Sequence, residues 1–290
     1  MNRIADPSAC SDGINSGYAE ENIVESIDRV IKLKDSLVSY RKVFPENKQS
    51  NKKPIVFLHG TNSSGNSSFG EIKKAFSSDR AVIIPDYAGC GNSELPLETL
   101  TIEHLAEQIA AVIEDSSNIP VDLVGVSLGA VVAAVVAAKY PNLIDKLILT
   151  APWATNSDPR HQLIFNTWLH LELNDKSSAM AFALSHALSP EFISSLGHET
   201  IQWICSQPAE KGIEKRIALG LSIDIKDYLT QIDKNTLIIG LNSDTLIPPY
   251  LVREVYKNIN NSTYKEINSG HAVQIEKPAE WISLIKDFIS

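Results

Sequence analysis

The sequence predicts an α/β fold, a mostly parallel, doubly wound sheet with a helical cap inserted over one edge. Three observations predict it. Short apolar runs alternate with helix-patterned stretches along most of the 290 residues, and that alternation builds right-handed βαβ crossovers. The run VDLV (121–124) passes through GVSLG (125–129) straight into AVVAAVVAAKYP (130–141), so strand turns to helix at one serine, Ser127. Between about 153 and 232 the rhythm breaks for a stretch of helical patterning holding three of the four tryptophans, Trp153, Trp168 and Trp203.

Taken in order, residues 1–25 form a Ser/Gly/Asn/Asp-rich tail, too polar to bury and expected to be disordered. The stretches 26–35 and 36–44 alternate as a leading antiparallel strand pair. PIVFLHG (54–60) is a continuous apolar run, as expected of a strand buried on both faces, and AVIIPD (81–86) repeats it. Residues 101–116 have helical spacing; 121–126 is a strand, 128–139 a helix and 146–152 a strand. After the insertion, 235–244 is a strand, 248–259 a helix, 263–271 a short strand and 277–290 a closing helix. The core is therefore 26–152 with 233–290, and the cap 153–232.

A formal net charge of −9 and the lack of a basic, aromatic-interleaved cluster argue against nucleic acid or an anionic membrane as partner. No stretch reaches 18 uncharged apolar residues, and the first residues lack an apolar signal core. Cys10, Cys90 and Cys205 have neither disulfide-framework nor zinc-ligand spacing, so reduced thiols and a cytoplasmic location are expected. No ligand cluster for a metal or organic cofactor stands out.

A strand-to-helix turn this tight forces its apex into strained backbone geometry, and small residues two positions either side relieve the crowding. Ser127 would stand above the sheet beside a helix N-terminus, with the Leu128 amide aimed where an oxyanion forms. A serine needs a base. Of seven histidines, His104, His161, His170, His186 and His198 fall in helical patterns, where surface or packing roles are the ordinary reading. His59 closes the buried strand before 60. His271, in NSGHAVQIEKP, lies in a loop after the last strand, at the sheet's carboxyl edge, where ligands meet such sheets. Asp244, in GLNSDTLIPP, emerges at the same edge and is the chosen acid. Asp158, after the strand at 146–152, is its rival, whereas Asp224, Asp227 and Asp233 precede the strand at 235–244.

The order Ser127, Asp244, His271 resembles that of the α/β-hydrolase superfamily. Three more stretches carry the resemblance: LHGTN (58–62) is similar to the family's His-Gly oxyanion loop, DYAGCGNS (86–93) to its D-x-x-G-x-G-x-S loop, and SGHAVQIEKP to its closing histidine segment. The match runs from about residue 26 to the end. Ala130 stands where many relatives carry a further glycine, and Cys90 fills the middle of the glycine loop as a small packing residue. The resemblance implies a cofactor-free serine hydrolase with Ser127, His271 and Asp244 as catalytic triad and Thr61 and Leu128 as oxyanion-hole amides. The expected substrate is a small, largely apolar ester, lactone or thioester, in a pocket expected to include His59, Trp153, Phe165 and Trp168. Carbon–carbon bond hydrolases, perhydrolases and ligand receptors share the fold and remain alternatives.

Overall fold

The computed structural model describes residues 25–34 and 36–290. All but the last residue of the expected tail lies outside them, as does Cys10. One eight-stranded sheet runs in the order β1-β2-β4-β3-β5-β6-β7-β8. The hairpin of β1 (Ser26–Lys32) and β2 (Leu37–Val43) is antiparallel, with Ser26 opposite Val43, and β2 joins β4 (Val82–Pro85) antiparallel. From there β4, β3 (Ile55–Leu58), β5 (Val121–Val126), β6 (Ile144–Thr150), β7 (Asn235–Leu241) and β8 (Ser262–Ile267) run parallel. Every residue of β3, β4 and β5 is buried, as the apolar runs of β3 and β4 require, and the one charge in β5, Asp122, is paired with buried Arg80 at 2.9 Å.

Strand order decides where the helices lie. The β3-to-β4 connection carries α1 (Gly65–Phe69) one way along the sheet. The connections with α2 (Ile102–Ser116), α3 (Leu128–Lys139) and, after β7, α10 (Pro249–Asn258) run the other way. Right-handed crossovers therefore place α1 on one face and α2, α3 and α10 on the other. The short α11 (Val273–Glu276) leads into α12 (Pro278–Ile289), which covers the α1 face: its Trp281 stacks on Phe69 with ring centres 6.4 Å apart. Helix α3 is buried all round from Leu128 to Ala137 because it packs against α2 as well as the sheet, and its Ala/Val composition suits that close approach.

Six helices stand between β6 and β7: α4 (Pro159–Asn174), α5 (Lys176–Ala187), α6 (Pro190–Leu196), α7 (His198–Ser206), α8 (Ile213–Gly220) and α9 (Lys226–Leu229). Their starts are written in the sequence. Asp158, Asp175 and Ser189 cap α4, α5 and α6 through their side chains, and proline follows two of the three. The two ends of the insertion pair at its neck, where Thr155 bridges Asp224 antiparallel and Ile225 N donates to Ala154 O at 2.8 Å. Its own core holds Trp153, Phe165 and His161, the last two stacked at 4.1 Å. Gly220 lets α8 meet α4, since a Cβ there would lie 2.5 Å from the Phe165 ring.

Five of the parallel strands end short of their expected ranges. β3 stops at Leu58 rather than 60, β4 at Pro85 rather than 86, β6 at Thr150 rather than 152, β7 at Leu241 rather than 244 and β8 at Ile267 rather than 271. At these points the chain leaves the ladder and turns away at the carboxyl edge, with His59, Asp244 and His271 still buried.

Candidate active site

Ser127 is the one residue between β5 and α3, held at φ +57°, ψ −125°, a region costly for any side chain. Its amide donates to Thr150 O at 2.9 Å, which clamps the turn to β6. The two flanking glycines are obligatory. A Cβ on Gly125 would lie 2.3 Å from Gly129 O, and one on Gly129 would lie 2.3 Å from Leu58 O. The serine hydroxyl has no hydrogen-bond partner among the described residues and borders a cavity of about 720 Å³.

His271 borders the same cavity. Its Nδ1 lies 2.6 Å from Asp244 Oδ2, and both residues are buried. The other carboxylate oxygen of Asp244 accepts from the Leu246 and Ile247 amides, each at 2.8 Å, so the acid cannot turn. A carboxylate only accepts; Nδ1 therefore carries a proton, and in the neutral imidazole the lone pair is on Nε2. The rival acid has another task. Asp158 Oδ1 accepts from the His161 amide as the α4 cap and from the Tyr250 hydroxyl.

The Thr61 and Leu128 amides donate to no group among the described residues. The loop that carries Thr61 passes close over Ser127: a Cβ on Gly60 would sit 3.4 Å from Ser127 Cβ. Ser127, the His271–Asp244 pair and the two free amides are thus gathered at one edge.

Of the four expected pocket residues, only Trp168 borders the cavity. Trp153 and Phe165 are corrected to the core of the helical insertion, where they pack on each other and on His161. His59 is corrected as well. Its ring points under the loop and stacks on Tyr87 at 4.1 Å, and burial lowers its pKa to about 3, so it is neutral. Its Nδ1 lies 2.9 Å from Gly60 O, which can only accept; Nδ1 is the donor and the buried Nε2 is left without a partner. Cys90 is buried, and burial pushes its thiol up to about 12, which leaves it protonated and inert.

The wall that sequence reasoning missed is Met180, Ala183, Leu184 and Ala187 on α5, with Phe192 and Leu196 on α6. The α5 set has the spacing i, i+3, i+4, i+7, so an apolar face was visible, though not what it faced. The polar lining of the cavity includes Asn62, Ser63, Asn66 and Ser67, with Glu71 and Lys73 also bordering it. Glu276 was missed too. Its carboxylate accepts from Ser189 N at 2.8 Å, Ser189 Oγ at 2.7 Å and Gly270 N at 3.1 Å, and so ties the α6 start to the His271 loop. Among the described residues no group of three His, Cys, Asp or Glu is placed to hold a metal ion, and no helix is long and apolar enough to cross a membrane.

A family model described as alpha/beta hydrolase fold matches residues 53–202. The chain is 32% identical over 239 residues to pyrrolizixenacetamide deacetylase of Xenorhabdus hominickii, a match covering 81% of this chain and 90% of that one. It is 27% identical to the pimeloyl-[acyl-carrier protein] methyl ester esterase of Aeromonas hydrophila subsp. hydrophila, covering 81% and 94%. Among solved structures, the enol-lactonase from Burkholderia xenovorans LB400 superposes with a TM-score of 0.79 at 18% identity, covering 90% of this chain and 99% of that one. With a positive-φ serine at a strand–helix joint and a family match across more than half its length, the chain belongs to the α/β-hydrolase fold family.

Proposed function

We propose that this hydrolase transfers an acyl group from a small carboxylic ester or amide to water through Ser127. The observation that carries the reading is the Asp244–His271 contact at 2.6 Å, opening on the cavity that Ser127 borders. In the proposed cycle, the bare Nε2 of His271 takes the Ser127 proton as Oγ attacks the carbonyl carbon. Asp244 holds the ring and steadies the imidazolium. The carbonyl oxygen becomes an oxyanion against the Thr61 and Leu128 amides, whose N–H groups are engaged by no other group among the described residues. His271 then gives its proton to the departing alcohol or amine. Water attacks the acyl carbon as His271 takes its proton; the acyl–Oγ bond then breaks, His271 returns that proton to Ser127 Oγ, and the acid departs.

The apolar wall from α5 and α6 and the polar lining of Asn62, Ser63 and Asn66 suit a molecule with a hydrocarbon part and a few polar anchors. The deacetylase relative favours adding N-acetyl amides to the expected esters, and the esterase relative favours methyl esters. The test is turnover of p-nitrophenyl esters and N-acetyl amides alongside labelling by a fluorophosphonate. Labelling should fall on Ser127 alone, and Ser127→Ala should abolish both labelling and turnover with little change in melting. A label on Ser63 or Ser67 instead would remove the assignment.

A further inference from the structure

The guanidinium of Arg216 is fully buried on α8, yet no carboxylate lies within 4 Å of it among the described residues. Its partners are backbone carbonyls instead. Nε donates to Thr61 O at 2.8 Å, and Nη1 donates to Ala88 O at 2.8 Å and to Lys211 O at 2.9 Å, while Nη2 has none. A buried cation without a counter-charge is expensive, and a neutral side chain could fill the volume. The contacts suggest why the charge is there. The peptide that offers the Thr61 N–H ends in the Gly60 carbonyl, which His59 Nδ1 holds; the next peptide ends in the Thr61 carbonyl, which Arg216 holds. The two donors grip the peptide planes on either side of one Cα, so the direction of the Thr61 N–H is over-determined.

We infer that Arg216 is a positioning residue for the oxyanion hole, aiming the Thr61 amide from the helical insertion by holding the carbonyl of the same residue. The inference rests on the acyl-transfer reading above. A second tie of the same helix supplies the control: Lys215 Nζ donates to the carbonyls of Pro96, Leu97 and Glu98 at 2.6, 2.8 and 3.0 Å, which anchors α8 without touching Thr61.

The experiment compares Arg216→Met, Arg216→Lys, Lys215→Met and Ser127→Ala in the full chain. It reads kcat and KM for p-nitrophenyl butyrate and inhibition by an alkyl boronic acid, which becomes tetrahedral on Ser127 Oγ. In Arg216→Met, kcat and boronic-acid affinity should fall together by about 10- to 100-fold, somewhat less than loss of a whole donor, with KM shifted by less than about threefold. Arg216→Lys, which keeps the charge and can reach one carbonyl, should recover part of the loss. Should Arg216→Met not melt cooperatively, the Lys variant carries the comparison. Lys215→Met should lower melting but leave kcat at the wild-type value. A kcat loss in Lys215→Met equal to that in the Arg216 variants, or wild-type kcat in folded Arg216 variants, overturns the positioning role while the reading of Ser127 stands. Turnover that survives in Ser127→Ala overturns the reading itself.

Discussion

Asp244 and Asp158 both follow parallel strands at the carboxyl edge, and their partners separate them. Asp244 faces His271 at 2.6 Å with its second oxygen saturated by two amides, whereas Asp158 spends its carboxylate on the first turn of α4 and on Tyr250. Asp244→Asn should therefore lower kcat by about 10⁴, the scale of losing the group that sets a catalytic imidazole's tautomer. Asp158→Asn keeps a capping side chain, and Asp158→Ala should cost about 0.5–2 kcal/mol of stability while leaving kcat near wild type. Steady-state kinetics and denaturant melts on the three variants decide it; a large kcat loss at Asp158 would move the acid to the other strand. Ser127 shows the same economy. Its strain, of order 1–3 kcal/mol, persists because Gly125 and Gly129 leave room and Thr150 O holds its amide.

Helix α4 presents one tryptophan to the cavity and packs its other aromatics inward. Trp168 borders the open space, while Phe165, three residues earlier, lies against Trp153 and His161 and leaves Gly220 no room for a Cβ. Trp168→Ala should change the ranking of acyl-chain lengths in a p-nitrophenyl ester panel, because removing a large aromatic wall admits bulk. Trp153→Ala should instead cost about 3–5 kcal/mol by opening a cavity in a closed core, without reordering the panel. Reordering by Trp153→Ala alone would show that the wall is set from the core. Helices α6 and α7 contribute no buried residue, yet α6 is pinned at its start by the Glu276 carboxylate. The joint nearest His271 is thus the firm end of this wall.

At the scale of the whole molecule, buried neutral histidines make stability depend on pH. Burial lowers His59 to about 3 and lowers His161 as well, whereas unfolded histidine titrates near 6.5. Below about 6.5 the unfolded chain takes up protons that the folded chain refuses, so this stability is complete above that pH and drains away as pH falls toward 3. At about pH 5, His59 alone should remove about 2 kcal/mol relative to about pH 7.5. Urea midpoints at both values should show this loss in the wild type and a smaller one in His59→Gln. An equal acid loss in the variant would place the titrating group elsewhere.

The strand–helix alternation, the glycines at 125 and 129, and the loop positions of Asp244 and His271 could be read from the chain because local geometry dictates them. A tight joint needs small neighbours wherever it occurs, and a loop after a parallel strand must emerge at the carboxyl edge. His59, Trp153, Phe165 and Met180 could not be assigned this way. An apolar run or a helical face states that a side chain is covered, but not whether core, loop or cavity covers it. The Arg216 contact is the clearest case: a lone arginine in an amphipathic helix meets the Thr61 carbonyl 155 positions away. Which surfaces meet is a sum over contacts distant in sequence, and only the packed molecule evaluates that sum.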